Sequence, residues 1–273
     1  MAAGSPAGGR PRIVAIANQK GGVGKTTTAI NLATALAQDG HPTLVVDLDP
    51  QGNASTGLGV LPDRREVGTY EVISGERALH EAIQPTEIEN LQLAPGTRDL
   101  SGADIEMVDD PARAERLAKA IRDPRSQAAI GDFEYILIDC PPSLSLLTVN
   151  AMAAAHSVLV PLQCEFFALE GLSQLLGTIK HVQQRINRSL RIEGIVLTMY
   201  DRRNNLSFQV EQDVRATLGE HVFDTVIPRN VRLSEAPSHA MPALIYDPNC
   251  SGSRAYRALA GELVRRAAAR LAA

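Results

Sequence analysis

Runs of apolar residues alternate along the chain with segments in which apolar residues recur at helical spacing. The apolar runs contain few polar positions, a pattern typical of strands that are covered on both faces of a sheet. The order of the segments therefore predicts an α/β fold: a doubly wound, mostly parallel sheet with helices on both faces. The predicted strands are residues 13–17, 43–47, 91–94, 135–139, 157–160, 192–197 and 225–227, and the predicted helices are residues 26–38, 112–122, 169–185, 208–218 and 253–271.

These segments predict one domain over residues 13–273, since no repeat and no interior low-complexity linker divides the chain. Residues 1–12 are rich in Ala, Gly and Pro, and they predict a short disordered tail. Residues 58–95 are the least regular part, which fits either an appended lobe or a surface excursion. The three cysteines are far apart and form no CxxC pair, which argues against a disulfide framework and favours a reducing cytoplasm.

Charge is unevenly distributed along the sequence. The whole chain carries a net charge of −4, but residues 185–273 contain 13 arginines, no lysine and nine acidic residues, a net charge of +4. The remaining residues therefore carry a net charge of −8. A basic half on an acidic protein favours an anionic partner, although solvated helix faces account equally well for this charge pattern.

A glycine-rich loop, residues 18–24, follows the first predicted strand and precedes the first predicted helix. Glycines allow successive backbone N–H groups to point inward and hold phosphate oxygens, and the helix presents its positive N-terminus to the same anion. Lys25 is expected to reach the β- and γ-phosphates and Thr26 to ligate Mg²⁺ through its hydroxyl. The plain Walker pattern requires a glycine five residues before Gly24, where this chain has Gln19, so that pattern fails at one position.

The sequence KGGVGKT in this loop resembles the deviant Walker A motif of the ATPase group that contains ParA, MinD, the nitrogenase iron protein and the arsenite-pump ATPase. In that group the extra lysine, here Lys20, crosses a dimer interface and contacts the nucleotide that the partner holds. The resemblance therefore implies an ATP-dependent sandwich homodimer and a catalytic part for Lys20. The nucleotide-binding residues implied in this loop are Lys20, Gly21, Gly22, Val23, Gly24, Lys25, Thr26 and Thr27.

Carboxylates follow two of the predicted strands. Asp47 and Asp49 end the second strand in the sequence DLDPQGN, and Asp139 ends the fourth. Carboxylates at the carboxyl ends of buried strands face the phosphate loop, where Mg²⁺ requires oxygen ligands, so Thr26, Asp47 and Asp139 are predicted metal ligands. The DxDPQGN signature of the ParA group implies that Asp49 positions or activates the attacking water. The alternative is that each carboxylate caps a helix or a turn.

Residues 227–238, with the sequence IPRNVRLSEAPS, resemble a segment that marks the chromosomal Soj-like branch of the ParA family. By this resemblance Pro228 and Asn230 lie near the adenine, and Arg203 and Arg232 bind double-stranded DNA without sequence preference. Arginines grip phosphates bidentately, which gives salt-sensitive and sequence-blind affinity. Structural arginines that cap helices or pair with neighbouring carboxylates remain the alternative.

The resemblance to the ParA/Soj family covers residues 13 to about 256. It implies an ATP hydrolase with weak intrinsic turnover that uses ATP and Mg²⁺ and takes part in chromosome segregation. Its ATP-bound dimer would bind DNA on the nucleoid in the cytoplasm. A ParB-type centromere-binding protein would stimulate hydrolysis and so release the ATPase from DNA.

Three competing functions are weaker. A MinD-like membrane-associated positioning ATPase needs a C-terminal amphipathic helix with bulky apolar anchors, but residues 261–273 are mostly alanine without an aromatic, so no stable membrane association is expected. An ATPase that shares a metal cluster needs a ligand cysteine pair, and Cys140 has no counterpart in a matching context. A small-molecule kinase is disfavoured by the deviant lysine and by the lack of an acceptor-substrate motif.

Overall fold

The computed structural model describes residues 10–166 and 168–272. Within these residues the strands are β1 (Arg12–Ile16), β2 (Thr43–Asp47), β3 (Gln84–Pro85), β4 (Leu91–Ala94), β5 (Tyr135–Asp139), β6 (Ser157–Gln163) and β7 (Arg191–Thr198). They form one seven-stranded sheet in the order β3-β4-β2-β5-β1-β6-β7. Every neighbouring pair is parallel except β3 and β4, which are antiparallel.

Helices connect these strands and cover both faces of the sheet. The α-helices in the described residues are α1 (Lys25–Gln38), α2 (Asn53–Gly57), α3 (Thr69–Ser74), α4 (Leu79–Ala82), α5 (Ala103–Glu106), α6 (Arg116–Arg122), α7 (Pro124–Ile130), α8 (Leu146–Ala154), α9 (Ala168–Arg185), α10 (Asn205–Leu218), α11 (Val231–Glu235), α12 (Ala243–Tyr246) and α13 (Ser251–Ala272). Short 3₁₀ turns lie at Pro62–Arg64, Arg98–Gly102, Arg113–Glu115, Gly219–His221 and Ala236–His239.

Alternate side chains of the central strands pack into two separate hydrophobic cores. In β1, Ile13 and Ala15 belong to one core, and Val14 and Ile16 belong to the other, because successive strand residues point to opposite faces. Helices α6, α8 and α9 supply the first core, and α1 and α13 supply the second. With both faces covered, the carboxyl ends of the parallel strands are the expected place for a ligand.

The predicted doubly wound fold is confirmed, and the strands at 43–47, 91–94 and 135–139 have the predicted bounds. The strand predicted at 225–227 is wrong, because the structure has no strand there and only isolated bridges flank the segment, between Ile195 and Val222 and between Tyr200 and Pro228. The buried Glu262 carboxylate of α13 accepts the backbone N–H groups of Asp224 at 2.8 Å and Thr225 at 2.9 Å. These N–H groups are therefore unavailable for a strand ladder, although the segment follows the edge of β7.

Residues 58–95 are integrated into the main fold rather than appended to it. Leu58 and Val60 lie in the core beneath α1, and Ile73 and Leu79 lie in the opposite core. Strand β4 within this segment pairs directly with β2. Residues 1–9 of the predicted tail lie outside the described residues, and β1 begins at Arg12.

Candidate nucleotide-binding site

The loop between β1 and α1 is a concave turn of backbone at the carboxyl end of the sheet. Gly22 and Gly24 have φ angles of 75° and 88°, a left-handed conformation that side chains with a Cβ rarely adopt. Gly24 is the N-cap of α1, and no side chain caps this helix end. The first N–H groups of α1 are therefore left for an anion, as in helix N-termini that bind phosphate.

Two side chains, one from the loop and one from β7, tie the loop to the strands β6 and β7. Asn18 accepts the N–H of Lys20 at 3.1 Å and donates to the carbonyl of Pro161 at 2.8 Å. Thr198, at the end of β7, donates its hydroxyl to the carbonyl of Val23 at 2.9 Å. Buried hydrogen bonds of this kind fix a loop before its ligand arrives. Thr198 belongs to the stretch at 197–204, which resembles a family segment beside the nucleotide, and the strand order brings its hydroxyl to this loop.

Lys25 lies folded over the loop, with its ammonium group donating to the carbonyl of Lys20 at 2.9 Å. The residue is 6% exposed. Burial lowers the pKa of Lys25, and the nearby charges of Asp139, Cys140 and Asp49 act in the opposite direction. A buried cation beside backbone N–H groups is suited to the terminal phosphates of a nucleotide.

Asp139 is a buried carboxylate without a hydrogen-bond partner. It lies at the end of β5, in register with Asp47 of β2, and neither of its oxygens accepts a hydrogen bond from the described residues. Burial and the neighbouring Asp47 raise the pKa of Asp139 well above its ordinary value, while the nearby Thr26 hydroxyl opposes this shift. Because an unpaired buried carboxylate is costly, these free oxygens beside a hydroxyl fit a divalent cation.

The donor set at Asp139 is sparse, which agrees with Mg²⁺ rather than with a metal held entirely by protein. Among the residues that the structure describes, no group of three or more His, Cys, Asp or Glu side chains is arranged to hold a metal. Mg²⁺ usually keeps several waters and takes one or two protein ligands together with substrate phosphates. Thr26 and Asp139 are the predicted ligands that this geometry fits best.

Asp47, in contrast, already has hydrogen-bond partners. Its oxygens accept the N–H of Asp49 at 3.1 Å, and the N–H and hydroxyl of Ser55 at 2.9 and 2.7 Å. Burial is the main reason why the pKa of Asp47 is raised. These contacts tie the end of β2 to α2 and give Asp47 the helix-capping geometry that was its alternative interpretation. Its part in metal binding stays a prediction.

Asp49 lies on the connection between β2 and α2, where it is 6% exposed and accepts the N–H of Gln51 at 3.0 Å. Gly96 packs against the backbone of this connection, and a Cβ at Gly96 would lie 2.8 Å from the Asp49 carbonyl oxygen and 3.0 Å from Cγ of Asp47. Arg65 donates to the carbonyl of Gly96 at 3.2 Å. Gly96 and Arg65 therefore support the connection that carries Asp49, and no sequence motif points to either residue.

A cleft of about 470 Å³ opens next to the phosphate loop. Pro228 and Asn230 line it together with Gly24, Thr27 and Tyr256. Its volume lies within the range of small-molecule sites. The contact of Pro228 and Asn230 with the adenine stays a prediction. The side chain of Asn230 is already engaged, because it caps α11 through the N–H of Arg232 at 2.8 Å and donates to Ser251 at 2.8 Å.

Lys20 lies at the outer side of the loop. Its ammonium group forms an ion pair with Glu165, and 47% of its side chain is exposed. The side chain is therefore directed toward the connection between β6 and α9 rather than into the loop of its own subunit. The contact of Lys20 with the nucleotide of a second subunit stays a prediction.

The two arginines predicted to bind DNA are exposed and paired with carboxylates. Arg203 forms an ion pair with Asp201 at 2.9 Å, and Arg232 contacts Glu235 at 2.8 Å and Asp247 at 3.3 Å. These contacts match the alternative in which the arginines pair with neighbours, and exposed pairs of this kind are weak. Arg203 also lies in a groove of about 850 Å³ whose other basic residues are Arg202, Arg229 and Arg254.

A glycine loop between a parallel strand and a helix, followed by lysine and threonine, defines a P-loop nucleoside triphosphatase. The chain matches the family model described as AAA domain over residues 11–192. It is 56% identical over 255 residues to the chromosome partitioning protein ParA of Caulobacter vibrioides, covering 93% of this chain and 94% of the relative. It is 49% identical to the sporulation initiation inhibitor protein Soj of Bacillus subtilis, covering 92% and 98%. The chain belongs to the ParA/Soj family of chromosome-partitioning ATPases.

Solved structures share the fold over nearly the whole chain. A Mycobacterium smegmatis structure described as cobyrinic acid a,c-diamide synthase, with bound ADP and magnesium, has a TM-score of 0.79 at 39% identity and covers 93% of this chain and 94% of its own. The cell division ATPase MinD of Pyrococcus furiosus has a TM-score of 0.76 at 30% identity, with coverage of 93% and 98%. These similarities confirm the predicted fold.

Proposed function

We propose that this protein is a partitioning ATPase that binds ATP and Mg²⁺, dimerises on ATP and binds DNA as a dimer. The observation that carries the proposal is the orphaned Asp139 carboxylate beside Thr26, at the mouth of a phosphate loop that continues into a base-sized cleft. The family relatives that are named for chromosome partitioning support the cellular part of the proposal.

In this proposal the phosphate loop binds the triphosphate through its backbone N–H groups and through Lys25, which leaves the Lys20 carbonyl. Thr26 and Asp139 hold Mg²⁺, which neutralises charge on the phosphates. Asp49 orients the attacking water from its fixed position beside Gly96. Hydrolysis is slow in the isolated protein, because the catalytic part of Lys20 is supplied only across the dimer interface and a ParB-type partner completes activation.

The proposed DNA binding rests on exposed arginines near the cleft beside the phosphate loop. Arg203 and Arg232, with the neighbouring Arg202 and Arg229, lie on exposed segments near the base cleft. A dimer doubles this weak basic surface, and binding to phosphates by several arginines is strongly salt-dependent. The protein would thus be associated with the nucleoid in its ATP state and free in the cytoplasm after hydrolysis.

A MinD-like membrane function finds less support. The C-terminal helix α13 buries Tyr256, Leu259 and Leu263 in the core against α1, so these large side chains are not available as a membrane anchor. Within the part of the chain that the structure describes, no helix is long and apolar enough to cross a bilayer.

The test is DNA binding by the purified protein without nucleotide, with ADP and with ATP, over a range of salt concentrations. We expect salt-sensitive binding with ATP only, and Arg203→Glu or Arg232→Glu should weaken it while ATP binding persists. Arg188→Glu is the matched control, since Arg188 is exposed on the turn before β7 at the opposite end of that strand from Arg203. Equal binding in all nucleotide states would refute the proposed switch, and binding to anionic vesicles instead of DNA would favour the membrane function.

A further inference from the structure

Three consecutive residues at the start of the phosphate loop are tied to the segment that runs from the end of β6 into the start of α9. Asn18 donates to the carbonyl of Pro161 at 2.8 Å. Gln19 donates to the Gly171 carbonyl at 3.2 Å and to Gln174 at 2.7 Å. Lys20 completes the series through its ion pair with Glu165. The side chains of three successive loop residues thus all contact residues between 161 and 174.

Glu165 is well placed to hold a lysine, because its own backbone is fixed. Its N–H donates to the carbonyl of Gln163 at 3.0 Å, and its carbonyl accepts the N–H of Ala168 at 3.0 Å as α9 begins. The Glu165 side chain is 29% exposed, against 47% for that of Lys20. The fixed carboxylate therefore determines where the more mobile ammonium group rests.

We propose that Glu165 is a positioning residue that retains Lys20 on its own subunit until the partner presents a nucleoside triphosphate. The inference rests on the proposed dimer, in which Lys20 crosses to the nucleotide of the other protomer. A single carboxylate charge and a triphosphate compete for the same ammonium group, and the more highly charged anion attracts it more strongly. A diphosphate lacks the terminal group and competes less well, so Glu165 sharpens the distinction between ATP and ADP.

The ion pair between Lys20 and Glu165 is weak enough for Lys20 to leave it and bind a triphosphate instead. Ion pairs between partly exposed side chains are worth up to about a factor of five in an equilibrium constant. A symmetric dimer exchanges two such pairs, so their removal should favour dimerisation by up to about 25-fold. A fully buried pair would be much harder to break once its partner was removed.

The experiment measures the dimer dissociation constant by sedimentation, with Mg²⁺ and either a non-hydrolysable ATP analogue or ADP. Glu165→Gln should tighten the dimer several-fold in the analogue and produce measurable dimer in ADP. Glu170→Gln is the matched control, because Glu170 is exposed in the first turn of α9, five residues after Glu165, and forms no ion pair with the described residues. Glu165→Asp should restore part of the wild-type behaviour.

A double-mutant cycle separates this inference from the proposed function and from a general structural effect. In a Lys20→Gln background, Glu165→Gln should have no further effect on dimerisation, since the charge that it acts through is absent. In the nucleotide-free protein, acylation of Lys20 measured by mass spectrometry should be faster in Glu165→Gln than in wild type. If wild type does not dimerise, the proposed function fails. If wild type dimerises but Glu165→Gln matches it, or acts equally without Lys20, the positioning inference is overturned.

Discussion

We expect replacement of the unpaired Asp139 carboxylate to have opposite effects on stability and on ligand binding. Asp139→Asn keeps the shape of the side chain and removes a charge that is buried without a hydrogen bond. An unsatisfied buried polar group costs about 1–3 kcal/mol, and more when it is charged. We therefore expect Asp139→Asn to raise the free energy of unfolding of the ligand-free protein by about 1–3 kcal/mol. For a chain of this size, that corresponds to a rise in Tm of about 2–12 °C.

The pH dependence of this gain follows from the direction of the pKa shift. Burial raises the pKa of Asp139 above its ordinary value of 3.8. The unfolded chain therefore loses the proton first, and wild-type stability falls as the pH rises from that value toward the folded pKa. The stability difference between Asp139→Asn and wild type should be larger at pH 7.5 than at pH 5.

The assay is thermal unfolding with and without Mg²⁺ and a non-hydrolysable ATP analogue. A ligand present at 100 times its Kd stabilises a protein by about 2.7 kcal/mol, so wild type should gain several degrees. Asp139→Asn should start higher and gain little, and the missing increment should be the Mg²⁺-dependent part. A ligand-free variant that is less stable than wild type, or one that retains the full Mg²⁺-dependent increment, would refute the reasoning.

Two further predictions concern residues that support the site. Thr198→Val leaves the buried carbonyl of Val23 without its donor, so nucleotide affinity measured by calorimetry should fall by about 1–3 kcal/mol; unchanged affinity would show that the loop needs no such support. Gly96→Ala forces a Cβ against the backbone at Asp49, so turnover should fall and stability should drop by about 1–3 kcal/mol. Gly177→Ala, in an exposed helix position with open space around it, should instead add about 0.5–1 kcal/mol; equal effects of the two alanines on turnover would contradict the packing argument.

The sequence predicted the strands and the phosphate loop well because both depend on local signals. Residues 43–47 are apolar without interruption until Asp47, which is how a strand buried on both faces reads. The spacing of Lys20, Gly24 and Lys25 is fixed by the covalent chain, so it is visible without any knowledge of folding. These features sufficed to predict the fold class and the family.

The strand predicted at 225–227 shows where such local signals fail. Its residues are all β-branched, which favours a strand, yet Glu262 accepts the N–H group of Thr225. Glu262 lies 37 residues further along the chain, and only the packing of α13 brings it there. The pattern of apolar residues cannot reveal that a side chain from another helix accepts a backbone N–H group that a strand would need.

Supporting residues of the site were missed for the same reason. Glu165 belongs to the stretch at 161–171, which resembles a family segment beside the nucleotide and the dimer face, but its pairing with Lys20 is evident only once β6 lies beside β1. Gly96 follows β4, and its closeness to Asp49 depends on the pairing of β2 with β4. Contacts between distant segments follow from strand order, which the sequence pattern left undetermined.

The sequence alone could not distinguish between the two roles considered for Arg203 and Arg232, DNA binding and pairing with neighbouring carboxylates. Arg203 and Arg232 each have a carboxylate partner within four residues, so a structural interpretation was reasonable from the sequence. Their exposure and the grouping of Arg203 with Arg202 and Arg229 in one groove add support for a phosphate-binding surface. The number of charges in the sequence does not show that these arginines lie in one groove, since this depends on how the segment after β7 packs against the segment before α11.

The most direct test of the central proposal is whether Lys20 acts on the nucleotide of the other subunit. Lys20→Gln protein binds ATP but lacks the lysine that crosses, whereas Lys25→Ala protein retains Lys20 but binds nucleotide poorly. We expect each variant alone to be inactive in steady-state ATP hydrolysis with DNA present, and an equal mixture to recover activity through mixed dimers, whose formation is followed by energy transfer between labelled subunits. Mixed dimers that form but remain as inactive as the separate variants would contradict the account.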